Sequence, residues 1–200
     1  MRPATDLRQK VLDASVELIA EGGLDRLSLR EVARKAGVSH QAPYHYFSDR
    51  EAILAAVAGH GFEKLGDSLE RAASRHAAEP GGAVEAMGQA YVDFALRYPG
   101  YFQAMFRADA VPLDNHPEAR KREDEAFSEL VDRIGEAFAD QPEAVKRQVA
   151  VGCWAMAHGL ATLMLEGSLA RKLNIPKGRQ KKIAGDTIAT IVRLLGPSGG

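Results

Sequence analysis

The 200-residue chain is short of cysteine, of net charge and of long apolar runs, and each shortage closes a class of function. Its one cysteine, Cys153, excludes an internal disulfide framework and any multi-cysteine metal site, and fits a reducing cytoplasm. A net charge of -1 gives no overall sign of nucleic-acid binding, so such a function must rest on local features. The opening Met1-Arg2-Pro3-Ala4-Thr5-Asp6 lacks the apolar stretch of a secretory signal. The longest near-apolar run, Val149–Leu165, is short for a membrane span and carries Gly152, His158, Gly159 and Thr162. It reads as a core helix, and no membrane partner is expected. No His-x-x-x-His pair and no phosphate loop occurs, and Cys153 and His158 are offset onto different faces of a helix. Catalysis, a cofactor and a bound metal are therefore not expected.

What is present is helical periodicity. Almost every long stretch repeats its apolar residues at helical spacing and none shows a useful strand alternation, so an all-α fold of about nine helices is expected. Leu7, Val11, Ala14, Leu18 and Ile19 line one face of a first helix that stops at Gly22-Gly23. Ser28-Leu29-Arg30-Glu31 has the form of a capping box and opens a short helix ended by Gly37. Ser39 is the cap expected for a third helix, with Val38 and Pro43 placed to pack across its start. A proline at the fourth helical position removes an early hydrogen bond and is expected to tighten or bend that turn. Ser48-Asp49-Arg50-Glu51 is a second capping box, before a long helix over about 48–76. Pro80, Pro99, the loop Asp109–Pro117, Gln141-Pro142 and the link Gly167–Pro176 mark off further helices, the last from about Lys177 to Leu195. Gly196–Gly200 reads as a frayed tail.

Residues 28–50 carry the functional signal. Two short helices joined by Ala36-Gly37-Val38-Ser39 have the layout of a helix-turn-helix, whose second helix enters the major groove by its first turn. Ser39, His40, Gln41 and Ala42 occupy that turn. Gln41 can pair bidentately with adenine, Ala42 can touch a thymine methyl, and His40 can donate to guanine or to phosphate. Tyr44, His45 and Tyr46 follow, with hydroxyl and imidazole groups suited to phosphate oxygens. Arg50, in the first turn of the next helix, is a further candidate for phosphate, and Arg30, near the start of the supporting one, for phosphate or a base. The block is only mildly basic, so two heads acting as a pair are expected to share the phosphate contacts.

The run Leu29-Arg30-Glu31-Val32-Ala33-Arg34-Lys35-Ala36-Gly37-Val38-Ser39, followed by Tyr44-His45-Tyr46-Phe47-Ser48-Asp49-Arg50-Glu51-Ala52-Ile53-Leu54, resembles the signature of the tetracycline-repressor (TetR) family. Trp154-Ala155-Met156-Ala157-His158-Gly159 resembles a Trp…His-Gly motif of one branch of its C-terminal domains. The resemblance implies an all-α homodimer with a three-helix DNA-binding head over 1–50 and a ligand-binding and dimerisation body over 51–200. It implies DNA contacts by Arg30, His40, Gln41, Ala42, Tyr44, His45, Tyr46 and Arg50. It also implies a repressor, released from a palindromic operator by a small molecule, working in the bacterial cytoplasm at the nucleoid.

In the body, aromatics gather around Pro99. Tyr91, Phe94, Phe102, Met105 and Phe106, with Trp154 and His158, are the candidate lining of a site for a small apolar effector; core packing is the competing reading for each. The helix Val149–Leu165 is apolar nearly all round, which leaves one face for a partner subunit. Gly152, Ala155 and Gly159 suit close helix approach, and Ala184, Ile188, Ile191 and Leu195 form a stripe on the last helix; together they are the expected dimer interface. The basic run Arg171, Lys172, Lys177, Arg179, Lys181 and Lys182 reads as solvated surface, since no aromatic interleaves it. The competing functions are an architectural DNA-binding protein without effector and a small-molecule-binding module with a silent head.

Overall fold

In the computed structural model, which describes residues 4–76, 78–107 and 109–195, every element is helical. Nine α-helices occur among the described residues: α1 (Ala4–Gly22), α2 (Leu29–Ala36), α3 (Arg50–Ser74), α4 (Pro80–Arg97), α5 (Pro99–Met105), α6 (Pro117–Ala137), α7 (Glu143–Leu165), α8 (Ser168–Leu173) and α9 (Gln180–Leu195). Single 3-10 turns stand at Leu24–Arg26, Pro43–His45, Leu113–Asn115 and Lys177–Arg179. The tail Gly196–Gly200, expected to fray, lies outside the described residues.

The chain forms two compact units that interleave along the sequence. The first takes Met1–Glu63 and Tyr98–Asp124, and so holds more than the 1–50 head read from the sequence. Val11, Leu12, Leu18 and Ile19 of α1 are buried there with Val32 and Ala33 of α2 and Ile53, Leu54, Val57 and Phe62 of α3. The periodicity of α1 predicts this face, and each fully buried Leu or Ile contributes about 1.5–3 kcal/mol to holding it. Residues 98–124 complete the core: Tyr101, Phe102, Ala104 and Met105 of α5 are buried, and Phe106 meets Phe102 at a tilt and Phe62 edge-on, at centroid distances of 5.0 and 5.7 Å.

The second unit takes Lys64–Arg97 and Glu125–Gly200. Its core joins Val84 and Val92 of α4, Ile134 of α6, Val149, Cys153 and Met164 of α7, Leu169 of α8 and Ala184, Ile188 and Val192 of α9.

Three elements differ from the sequence expectation. No α-helix follows Ser39; residues 40–42 form a turn and Pro43–His45 a 3-10 turn. Pro43 has no N–H to give the Ser39 carbonyl, which instead accepts from Ala42 at 3.0 Å, a three-residue bond. The apolar helix starts at Glu143 rather than near Val149. The link Gly167–Pro176 contains α8, which docks Leu169 in the core between Gly167 and Asn174, both in the left-handed region.

Candidate nucleic-acid interface

The reading segment hangs between two fixed helix ends. At the near end Ser28 caps α2: its Oγ accepts from the Glu31 amide at 3.2 Å. The other half of the expected box is not formed, because the Glu31 carboxylate accepts from Arg34 Nε and Nη2 at 3.0 and 2.8 Å. Gly37 closes α2 at φ 65°, a left-handed conformation that lets its N–H reach back to Ala33 and Arg34.

Beyond that cap Ser39, His40, Gln41, Tyr44 and His45 are exposed, and Tyr46 is half-buried. The His40 and Tyr44 rings lie 5.9 Å apart. Tyr44 is 49% exposed, a high value for an aromatic with no function at the surface. Ala42 corrects the sequence reading. It is 5% exposed and packs inward beside Pro43, so its methyl is not presented to a base. Ala42 stands in right-handed helical backbone just ahead of the 3-10 turn. Arg30, early in α2, is exposed as expected.

At the far end the cap of α3 is Asp49, not Ser48. Asp49 Oδ1 accepts from the Ala52 amide at 2.8 Å and its Oδ2 from the Ser48 hydroxyl at 3.0 Å. Those bonds, the Ala52 amide first, hold the Asp49 carboxyl below its usual value. Asp49→Ala is expected to cost about 1 kcal/mol in denaturant unfolding, and Asp49→Asn only a few tenths. The part of the cap that depends on the carboxylate charge is complete above the unfolded value of 3.8 and is lost as pH falls through the lower folded value. Freed from the box, Glu51 Oε1 lies 2.9 Å from His116 Nε2.

Arg50 is the second departure. Its guanidinium does not point at solvent: Nε donates to the Leu27 carbonyl at 3.0 Å and Nη2 to the Leu24 carbonyl at 2.8 Å. Other cations of the head are also engaged internally. Lys35 bridges Glu17 and Glu21 of α1 at 3.2 and 2.7 Å, and the Arg8 guanidinium lies 5.4 Å from the Phe47 ring centroid. The sequence reading missed these ties because their partners are 14 or more residues away; only the Glu17/Glu21 spacing on one helix face hints at the first.

The candidate effector residues divide between the units. Phe102, Met105 and Phe106 belong to the first, packed with Phe62 and Gly61. Tyr91, Phe94, Trp154 and His158 belong to the second. There the Tyr91 hydroxyl lies 3.0 Å from His158 Nδ1, and the Trp154 indole also bonds Tyr91. Burial pushes the Tyr91 hydroxyl up and the His158 imidazolium down, so both groups favour their neutral forms. Trp154 meets both His158 and Phe127 edge-on.

By length and composition α7 could cross a membrane, but its stripe Val149, Ala150, Cys153, Ala157, Ala161 and Met164 is buried in the second unit. The opposite stripe is exposed: Val151 at 54% and Leu163 at 40%, with Gly152 and Ala155 between. A Cβ at Gly152 or Gly159 would meet nothing within 4 Å. On α9 the expected interface stripe is corrected. Ala184 and Ile188 are buried in their own subunit's core, because that stripe packs on α4. The outward stripe is Ile183, Thr187, Ile191 and Leu194, with Leu195 also exposed.

Two short helical elements around a glycine-capped turn, with an exposed polar and aromatic segment beyond it, define a helix-turn-helix protein. Residues 11–57 match the family described as bacterial regulatory proteins, tetR family, and residues 84–177 match the tetracyclin repressor-like C-terminal domain. The chain belongs to the TetR family of transcriptional regulators. A solved structure of a protein with unknown function from Rhodococcus sp. RHA1 is 31% identical, with TM-score 0.75 over 92% of this chain and 94% of that one. The uncharacterized regulator YobS of Bacillus subtilis is 31% identical over 105 residues, 52% of this chain; the chain thus covers 54% of that curated relative's length. The structure of FadR from B. subtilis, in complex with stearoyl-CoA, has the same fold, with TM-score 0.71, 16% identity and coverage of 96% and 99%.

Proposed function

We propose that this chain is a cytoplasmic, homodimeric repressor whose paired heads read a palindromic operator and are released by a small apolar effector. The observation that carries the reading is the exposed segment Ser39–His45, held from behind by buried Ala42 and Pro43 and clamped between two capped helix ends. His40 and Gln41 face bases, and Tyr44, His45 and Arg30 face phosphates. Two heads set by the exposed faces of α7 and α9 would read half-sites about 34–36 Å apart. In the body, buried Tyr91, half-buried His158 and Trp154, itself 39% exposed, form a polar group that could fix an apolar ligand's orientation. The stearoyl-CoA bound by FadR supports an acyl-chain-like effector. Release requires that the effector bind the DNA-incompetent arrangement more tightly. Helices α3 and α6 contribute residues to both units, and the chain passes between the units a third time at Arg97–Tyr98.

The test is binding to a duplex recovered by the protein from a random-sequence pool. Gln41→Ala is expected to weaken binding about tenfold, the loss of one bidentate base contact. Tyr44→Phe is expected to weaken it about threefold, the loss of one phosphate hydrogen bond. If neither change alters affinity, the segment does not read DNA.

A further inference from the structure

Arg50 opens α3, where the helix dipole disfavours a cation. Its charge is instead spent behind the DNA-facing surface. Nε and Nη2 hold two carbonyls, of Leu27 and Leu24, that stand 23 and 26 residues earlier in the chain. Both leucines are buried: Leu24 opens the 3-10 turn Leu24–Arg26, its carbonyl also accepting from the Leu27 amide at 3.0 Å, and Leu27 follows that turn and directly precedes Ser28, the cap of α2. Leu27 ends that turn in extended backbone, so its carbonyl has no helical donor of its own. One side chain therefore ties the start of α2 to the start of α3. The segment 39–46 runs between those two helices, so the clamp sets where its side chains stand.

We propose that Arg50 is a positioning residue of the DNA-binding head and not a phosphate contact. This rests on the DNA-binding reading above. Its planar fork spans two carbonyls at once; a lysine ammonium, a single point on a flexible stem, does not reproduce that geometry. A phosphate contact would behave in the opposite way, since lysine serves there as a point charge.

The probe is the duplex that the wild-type protein selects from a random pool, with a scrambled duplex beside it. Arg50→Lys and Arg50→Gln are each expected to lose about tenfold in affinity for the selected duplex, and to keep their weaker affinity for the scrambled one. The specificity ratio thus falls, which a loss of stability alone does not cause in protein that circular dichroism shows to be folded. The slope of log K against log[salt] is expected to match wild type in both variants. The proposal is overturned if Arg50→Lys binds like wild type, if the specificity ratio holds, or if Arg50→Gln lowers the slope by about 0.9 per head, the signature of one lost phosphate contact. Where the variants do not fold, the wild-type Arg50 Nε–H decides by NMR. It should exchange slowly in the free protein and keep its shift when the selected duplex is added; rapid exchange or a shift on binding overturns the clamp. A wild type that selects no duplex sinks the regulator reading, while Nε–H exchange in the free protein still tests the clamp.

Discussion

Placing two glutamates on the outer face of α7, as Val151→Glu with Leu163→Glu, is expected to leave the protein folded but split into single chains. Both side chains are exposed within one subunit, so folding does not depend on them. They belong to an apolar stripe that continues across Gly152 and Ala155 and is joined by Ile191 and by Leu194, which is 79% exposed on α9. Soluble monomers rarely leave such a stripe to water. Four carboxylates brought together at a two-fold axis would have to be buried without partners, which association cannot offset. Operator affinity should then fall by about a hundredfold or more, because the second head no longer binds at the high effective concentration that the first provides. Sedimentation and anisotropy on the same samples check both parts. A wild type that sediments as a single chain, or a double variant that still pairs, would take the interface away from α7.

The largest loss of stability is expected from a single methyl group. In Gly100→Ala the new Cβ would overlap the Val16 backbone carbonyl oxygen and stand 3.1 Å from Val16 Cγ1. A side chain can swing aside, but the backbone of α1 cannot without disturbing Leu12 and Ile19. The cost is about 3 kcal/mol, the upper range for overpacking a core. For a chain of this size that is a fall of about 10 °C in Tm. Gly135→Ala, in α6, is the control: nothing lies within 4 Å of its Cβ, and it should leave Tm unchanged or raise it slightly. Equal melting of the two variants would mean that α5 does not press on α1 as described.

Local chemistry was legible in the sequence and long-range chemistry was not. The Gly37 stop and the Ser28 cap follow from spacings of three and four residues, and the structure shows both. Pro43 signalled a disturbed first turn, but not that Ala42 would be carried inward by it. The Ser48–Glu51 pattern fits a capping box equally well, yet neighbouring Asp49 takes the cap and His116, 65 residues on, takes Glu51. Arg50 reads as a surface cation until the fold brings the Leu27 and Leu24 carbonyls, 23 and 26 residues earlier, within its reach. On α9 two apolar stripes run side by side; periodicity detects both but does not say which one α4 covers. Five of the seven effector candidates gather around Pro99 in the sequence, but the proline break sends Tyr91 and Phe102 to different units.

The membership of residues 98–124 in the first unit bears on how such regulators are recombined. A graft that cuts after residue 63 and transplants the N-terminal piece onto another body would strip the chain's own cover from Phe62 and from the α1 surface at Val16. The donor piece would arrive with a raw apolar flank, and the recipient's corresponding helix would have to fit a surface it never met. Chimeras of this protein should carry both stretches together, as one discontinuous cassette.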